Sequence, residues 1–254
     1  MPRPPPPKMS RAEIMARSKA KRQMVLDWCA TESFTSPAVV AVMLGISHRR
    51  GGKLLADMAR DGLMVRDDFH GEGSPVWGIT TLGLGYANAP QVIGREYEPG
   101  RITPAFARHE LDVQLARVRA FAAGWTDWTP SRLLHGTGLK KVPDAIAVTP
   151  SGERVAVEIE RSIKSLRRYR EAIAAQLRDM RAGRYGRVIY VSPGHAAALE
   201  RTLRRVGEVR IAGERLRLGD AHFARYRVLD FASFPPAESG PDAMSAAPQA
   251  ASGA

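Results

Sequence analysis

Three carboxylates in the second half of the chain have the spacing of a metal-dependent hydrolytic site. Glu158 and Glu160 stand two residues apart in an apolar stretch, so in a β-strand their side chains share one face. Asp144 begins a neighbouring stretch that a turn joins to the first, so Asp144 could lie beside Glu158. Converging carboxylates repel unless a cation lies between them, and hard oxygen ligands suit Mg²⁺ or Mn²⁺. The pattern predicts a metal site with Asp144 and Glu158 as ligands, the skeleton of a metal-dependent phosphodiesterase. A half-exposed strand with solvated carboxylates is the alternative.

A second pattern, in residues 37–55, is typical of a helix-turn-helix. Ala41 provides a small contact between two helices and Gly45 provides the turn between them. The amino-terminal part of such a second helix enters the major groove, where arginine can bridge O6 and N7 of guanine. A three-helix bundle with a solvated basic face is the alternative. The candidate DNA-binding residues in this segment are Ser47, which caps the helix, and His48, Arg49, Arg50 and Lys53.

Two glycines depart from the helix-turn-helix pattern. Gly51 and Gly52 stand where an apolar residue normally braces the recognition helix, and together they cost about 1–2 kcal/mol of helix propensity. They predict a helix that orders only on DNA.

Further cations are candidates for phosphate contacts. Arg66 lies at a predicted hairpin. A long helix predicted over residues 162–184 has six basic and two acidic residues between positions 164 and 181, so few carboxylates can neutralise its charge. We expect phosphate contacts from this helix, and a solvated face is the alternative. The residues concerned are Arg167, Arg168 and Arg178.

The charge distribution favours a polyanionic partner. The 254 residues include 38 Lys and Arg against 26 Asp and Glu, a formal net charge of +12. The excess lies in residues 1–66, with 12 basic and 5 acidic residues, and in residues 161–227, with 17 and 6. Two basic blocks that flank an acidic middle suit a polyanion bound at two places. The single cysteine, Cys29, excludes an internal disulfide and any multi-cysteine zinc site.

The elements that must position these residues predict an α/β protein, α+β overall, in two domains. Three helices followed by a two-stranded hairpin, in residues 10–89, have the order of a winged helix. A linker is predicted over residues 90–102. Helix, strands, helix, strand and helix, in residues 103–231, are the pattern of an α/β sandwich. The ends are expected to be disordered, as a proline-rich arm over residues 1–9 and a tail over residues 232–254.

The order helix, Pro-Asp, hairpin, Glu-x-Glu and helix resembles the PD-(D/E)xK nuclease-like core. The whole chain resembles the replication-relaxation family of plasmid and mobile-element proteins, which pair a winged helix with such a domain. The segments that carry the resemblance are residues 80–86, His-Glu-Leu at 109–111, Val-Pro-Asp at 142–144 and Val-Glu-Ile-Glu-Arg at 157–161.

The resemblance implies a lysine two residues after the Glu, and here the chain departs from the pattern. Nucleases of this type use that lysine to position or activate the attacking water, but position 160 is Glu160. Lys164, expected one turn into the following helix, is the first candidate for this role, and Lys140 and Lys141 are alternatives. The candidate catalytic set is therefore Asp144, Glu158, Glu160 and Lys164.

We therefore expect a cytoplasmic, double-stranded-DNA-binding accessory protein of plasmid or mobile-element replication or relaxation, without a membrane segment. Its partners would be a relaxase or replication proteins, and monomer and homodimer both stay open. Its nuclease-like domain is expected to be degenerate. The alternatives are a Mg²⁺- or Mn²⁺-dependent DNA endonuclease that uses Asp144 and Glu158, and a winged-helix transcriptional regulator.

Overall fold

The fold was analysed in a computed structural model that describes residues 9–71, 74–89 and 95–236. Most of the predicted arm (residues 1–8), the start of the predicted linker (residues 90–94) and most of the predicted tail (residues 237–254) lie outside the described residues. The chain is an α/β protein that forms two compact units, residues 1–119 and residues 120–254. Each unit has its own core and is described separately.

Unit 1 contains the helices α1 to α4, the start of α5 and a three-stranded antiparallel sheet with the strand order β1-β3-β2. The hairpin of β2 and β3 follows the third helix, in the order that the sequence predicts. The elements are α1 (Arg11–Glu32), β1 (Phe34–Thr35), α2 (Pro37–Leu44), α3 (His48–Arg60), β2 (Met64–Asp67), β3 (Val76–Ile79), α4 (Thr81–Tyr86) and the start of α5 (Pro104–Ala122).

The division between the units falls within α5, later in the chain than the predicted linker at residues 90–102. The cause is that the described part of the predicted linker and α5 both pack on the other elements of unit 1. Tyr97, in the predicted linker, is buried, and its hydroxyl donates to Asp67 Oδ2 at 2.8 Å. Gln114 of α5 is also buried, accepts from Trp28 Nε1 at 3.1 Å and donates to the Phe34 carbonyl at 2.8 Å.

Unit 2 is built on a five-stranded mixed sheet with the order β10-β7-β6-β5-β4. The pairs β4/β5 and β5/β6 are antiparallel, and the pairs β6/β7 and β7/β10 are parallel. A separate hairpin pairs β8 with β9. The elements are β4 (Thr126–Pro130), α6 (Ser131–Leu134), β5 (Ala145–Val148), β6 (Arg154–Ile159), α7 (Leu166–Arg181), β7 (Arg187–Ser192), α8 (Ala196–Arg204), β8 (Glu208–Ile211), β9 (Glu214–Arg217), α9 (Asp220–Phe223) and β10 (Tyr226–Asp230).

Two predicted boundaries in unit 2 differ from the structure. The long helix begins at Leu166 instead of residue 162, because the Ser165 side chain caps it by accepting from the Arg168 N–H. Lys164 therefore precedes the helix, and the prediction that it lies one turn inside is wrong. The second boundary is the start of the predicted tail at residue 232. The described chain continues to residue 236, and Phe234 is buried with its ring centre 5.4 Å from that of Trp125.

The glycine pair in α3 has a packing role that the sequence did not indicate. The helix is continuous through Gly51 and Gly52, contrary to the expected need for DNA. Gly51 is buried against α2, where an added Cβ would lie 2.8 Å from the Pro37 carbonyl oxygen. Gly45, the predicted turn residue, has the left-handed conformation (φ 60°, ψ 40°). The small contact between the two helices is thus made by Gly51, in addition to the predicted Ala41.

Replacing each glycine of this pair by alanine is expected to have opposite effects on stability. Gly51→Ala should lower the free energy of unfolding by about 1–3 kcal/mol, because the new methyl group overlaps backbone of α2. Gly52→Ala is the matched control: its Cβ would lie 3.8 Å from the Pro37 side chain, so better helix propensity should raise stability by about 0.5–1 kcal/mol. Urea unfolding of both variants measures the difference, and equal effects would contradict the close approach at Gly51.

Candidate nucleic-acid interface and carboxylate–lysine cleft

The first turns of α3 present their cations to solvent. The Ser47 side chain caps the helix by accepting from the Arg50 N–H at 3.3 Å. Leu55 and Met58, further along the helix, are fully buried in the core of unit 1. The core therefore fixes the helix from its middle, while its amino-terminal end stays accessible. All five predicted residues of this segment are exposed, namely Ser47, His48, Arg49, Arg50 and Lys53.

The cations of α3 differ in how they are neutralised. Lys53 Nζ lies 3.1 Å from Asp57 Oδ2, and Arg60 also contacts the Asp57 carboxylate. The hydrogen bond from Lys53 holds the pKa of Asp57 below its usual value. Among the residues that the structure describes, no carboxylate forms an ion pair with Arg49 or Arg50. These two guanidinium groups can contact an external acceptor without breaking an internal pair.

Arg66 lies on β2 of the same unit and is exposed. Its guanidinium carbon is 5.9 Å from the centre of the Trp77 ring on the neighbouring strand β3. This cation–π contact limits the positions that the side chain adopts. Arg66 is therefore a cation held on the face of the hairpin.

In unit 2, the three predicted carboxylates lie at the ends of β5 and β6. Ala145 pairs with Val157, so Asp144 immediately precedes β5 beside Glu158. Asp144 Oδ2 accepts from the Ile159 N–H at 2.7 Å. The Glu158 and Glu160 side chains are buried, with exposed fractions of 7% and 6%. The alternative of a half-exposed strand with solvated carboxylates is wrong for these two residues.

Lysines satisfy two of these carboxylates. Of the three lysines considered from sequence, Lys141 forms an ion pair with Glu158, and Lys164 Nζ lies 2.9 Å from Glu160 Oε2. The side chain of Lys140 is exposed. Position 160 lacks lysine, but two lysine ammonium groups reach the carboxylates from the loops before β5 and before α7.

Sequence reasoning missed two polar residues of this site on the inner face of α7. The Gln176 amide donates to Glu158 Oε1 at 3.0 Å and lies 3.0 Å from the Tyr190 hydroxyl. Asp179 accepts from the backbone N–H of Lys140 at 2.9 Å and from that of Lys141 at 3.2 Å. Asp179 thereby fixes the loop that carries Lys141. The available signal was that both residues interrupt the buried apolar stripe of the helix, where a polar group needs a partner.

Burial controls the electrostatics of the site. Loss of solvent raises the pKa of Glu158, the Lys141 charge opposes this effect, and the Asp144 charge adds to it. Burial also raises the pKa of Tyr169, to about 12, and that of Tyr190. The Tyr169 hydroxyl accepts from the Lys164 N–H at 3.1 Å. Both tyrosines are therefore neutral hydrogen-bonding groups at physiological pH.

The carboxylates and lysines line a cleft of about 410 Å³. Its cations are Lys140, Lys141, Lys164 and Arg168. Among the described residues no group of three or more His, Cys, Asp or Glu side chains is arranged to hold a metal ion. Asp144 and Glu158 remain the pair that could hold one, but the ion would have to displace Lys141 from Glu158. Of the cations of the cleft, Lys140 and Arg168 form no ion pair with a described carboxylate, so these two can contact an external anion.

The other predicted cations of α7 are exposed, but they differ in their surroundings. Arg167 Nε lies 3.0 Å from Glu171 Oε1, four residues further along the helix, so its charge is partly neutralised. Arg168 borders the cleft. Arg178 lies in the last turn of the helix, away from the lining of the cleft. Only Arg168 of the three therefore adds positive charge to the cleft itself.

No family model matches the chain, and neither a curated protein nor a solved structure is significantly similar to it. Within its described part, the chain contains no helix that is both long and apolar enough to cross a membrane.

Removing the Lys141 charge is expected to destabilise the protein in a pH-dependent way. Because the folded-state pKa of Glu158 is raised, stability falls as pH rises from the ordinary glutamate value through the raised one. Lys141→Met raises this pKa further, so it should cost about 3 kcal/mol at neutral pH and much less in acid, where Glu158 is protonated in both proteins.

Lys140→Met is the matched control, since its exposed side chain contacts no described carboxylate. Chemical unfolding of the wild type and both variants across the acid and neutral range provides the measurement. A loss in Lys141→Met that is independent of pH would contradict the role of this ion pair.

Proposed function

We propose that the chain is a double-stranded-DNA-binding protein whose helix α3 reads the major groove. One observation carries the proposal: Arg49 and Arg50 project, without a described carboxylate partner, from the capped and exposed end of a helix that the core otherwise fixes. An α-helix fits the major groove, and its amino-terminal residues are those that reach base edges. Helix, turn and helix followed by a hairpin support the winged-helix interpretation of unit 1.

The flanking cations fit a supporting role. His48 and Lys53 lie on the same exposed turns as the two arginines, and Arg66 is held on the hairpin. Such residues contact phosphates, which fix the register of a protein on DNA without reading sequence. In unit 2, Lys140 and Arg168 line the cleft without an ion pair to a described carboxylate and give a second, smaller cationic surface. Unit 2 then provides a grip on the DNA backbone or a surface for a protein partner.

The biological setting of this proposal comes from the sequence resemblance to the replication-relaxation family. In that setting the protein is an accessory factor of plasmid or mobile-element replication or relaxation, acting in the cytoplasm with a relaxase or replication proteins. The ion pairs of Glu158 and Glu160 with lysines support a degenerate nuclease-like site, because the carboxylates are already neutralised within the protein.

Truncating either arginine of α3 is expected to impair sequence-specific binding. Arg49→Ala and Arg50→Ala should each lose about 1–3 kcal/mol of binding free energy for a site selected from random duplexes, because each arginine is expected to bridge a guanine. Arg60→Ala is the control: it removes an exposed arginine from the same helix, but one that pairs with Asp57 at the far end. Fluorescence anisotropy with cognate and scrambled duplexes measures both affinity and preference. Unchanged sequence preference in both Arg49→Ala and Arg50→Ala would refute the proposal.

A metal-dependent endonuclease is the second candidate, favoured by the position of Asp144 beside Glu158 with Lys141 at the same carboxylate. We favour the non-enzymatic function because Lys141 competes with any cation for Glu158. The sequence alone predicted that Asp144 and Glu158 would bind Mg²⁺ or Mn²⁺, and the ion pair of Lys141 with Glu158 reduces that expectation for the wild type.

Supercoiled plasmid incubated with Mg²⁺ or Mn²⁺ is expected to remain intact in the presence of the wild-type protein. In Lys141→Met, which frees Glu158, the same ions should raise the melting temperature by mass action, and Asp144→Asn added to this variant should cancel the rise. Nicking by the wild type that disappears in Asp144→Asn would establish the endonuclease instead.

A further inference from the structure

The β8–β9 hairpin of unit 2 places two arginines directly opposite each other. The strands are joined by the two-residue turn of Ala212 and Gly213, both with positive φ (51° and 89°). In the register of this hairpin, Arg210 pairs with Arg215. Directly opposite residues of an antiparallel pair have Cβ atoms about 4.5–5.5 Å apart, and like charges in such positions destabilise the pair. The hairpin therefore carries an electrostatic cost in its centre.

Neither arginine has an ion-pair partner among the residues that the structure describes. Arg210 and Arg215 are both exposed. The next pair on the same face of the hairpin, Glu208 with Arg217, has opposite charges. The like-charge pair is thus a local feature of one register position within an otherwise ordinary hairpin.

The hairpin holds the two arginines on a fixed surface. Val209 pairs with Leu216 on the opposite face from the arginines, and Val209 is buried in the core of unit 2 together with Leu218. One face is therefore anchored by apolar packing and the other presents two adjacent guanidinium groups. A guanidinium group donates in a planar fork that matches a phosphate, and two such forks can flank the oxygens of one anion.

We propose that Arg210 and Arg215 form a phosphate-binding site that contacts the backbone of DNA. The inference rests on the proposed DNA binding and adds a sequence-independent contact in unit 2. A phosphate between the arginines converts their mutual repulsion into two attractive contacts. The same pair therefore lowers the stability of the unbound protein and raises its affinity for the polyanion.

Two matched variants test this site in the full-length chain. Arg215→Thr and Arg217→Thr each remove one positive charge from β9 and introduce a residue with good strand propensity. Arg215→Thr relieves the like-charge pair, so its melting temperature at low salt should rise by about 1–3 °C. Arg217→Thr instead removes the partner of Glu208, so its melting temperature should stay the same or fall.

DNA binding is expected to change in the opposite direction. Arg215→Thr should weaken binding to a random-sequence duplex, and the slope of log K against log salt should flatten by about one unit. Arg217→Thr should have a smaller effect. Equal losses in the two variants would mean that only net charge matters, and would overturn the site. Unchanged DNA binding by Arg215→Thr would overturn the proposed phosphate site as well.

An anion titration separates this site from the interface at α3. Inorganic pyrophosphate should raise the melting temperature of the wild type more than sodium chloride does at equal ionic strength, and this excess should be smaller in Arg215→Thr than in the wild type. An equal excess in both proteins would overturn the site. The readouts of the α3 variants are independent, because those variants alter sequence preference, whereas the hairpin variants alter salt dependence on random DNA. The α3 proposal and the phosphate site at Arg210 and Arg215 can therefore fail separately, because each is tested by a different measurement.

Discussion

A carboxylate buried in a folded chain needs hydrogen-bonding or charged partners, and the carboxylate–lysine cleft of unit 2 is organised around that requirement at Glu158. Its ordinary hydration is lost near the end of the central strand β6, and an ammonium group and a side-chain amide replace the water. The amide comes from the inner face of α7, and the ammonium group comes from the loop before β5. Meeting this one requirement brings together a strand, a loop and a helix that are distant in sequence.

Unit 1 obeys a steric constraint instead of an electrostatic one. Helices α2 and α3 pack so closely that no Cβ fits between them at Gly51, and the absence of a side chain there permits this packing. The close approach leaves the cationic end of α3 outside the core while the apolar residues of the same helix lie within it. Surface charge and internal packing are thus separated along one helix by position.

The sequence predicted most elements of the fold, because apolar periodicity and turn residues are local signals. Helices α2 and α3, the hairpin after them and the β5–β6 pair were found in this way, and so was the placement of Asp144 beside Glu158. The partners of the carboxylates could not be found locally. Lys141 and Gln176 lie 17 and 18 residues from Glu158, and only the packing of α7 against the sheet brings them to it. Gly51 was misinterpreted for the same reason, because helix propensity describes an isolated helix and contains no information on the helix that packs against it.

The way in which Asp179 holds the loop before β5 has a consequence for how this site can diverge. Its carboxylate accepts hydrogen bonds from the main-chain N–H groups at positions 140 and 141, and these hydrogen bonds do not involve the side chains of those residues. Any residue with an N–H group can occupy either position without loosening the loop. The conformation of the loop and the side chain at position 141 therefore depend on different interactions. A substitution at position 141 therefore changes the group that meets Glu158, with the loss of that ion pair, while the loop keeps its path.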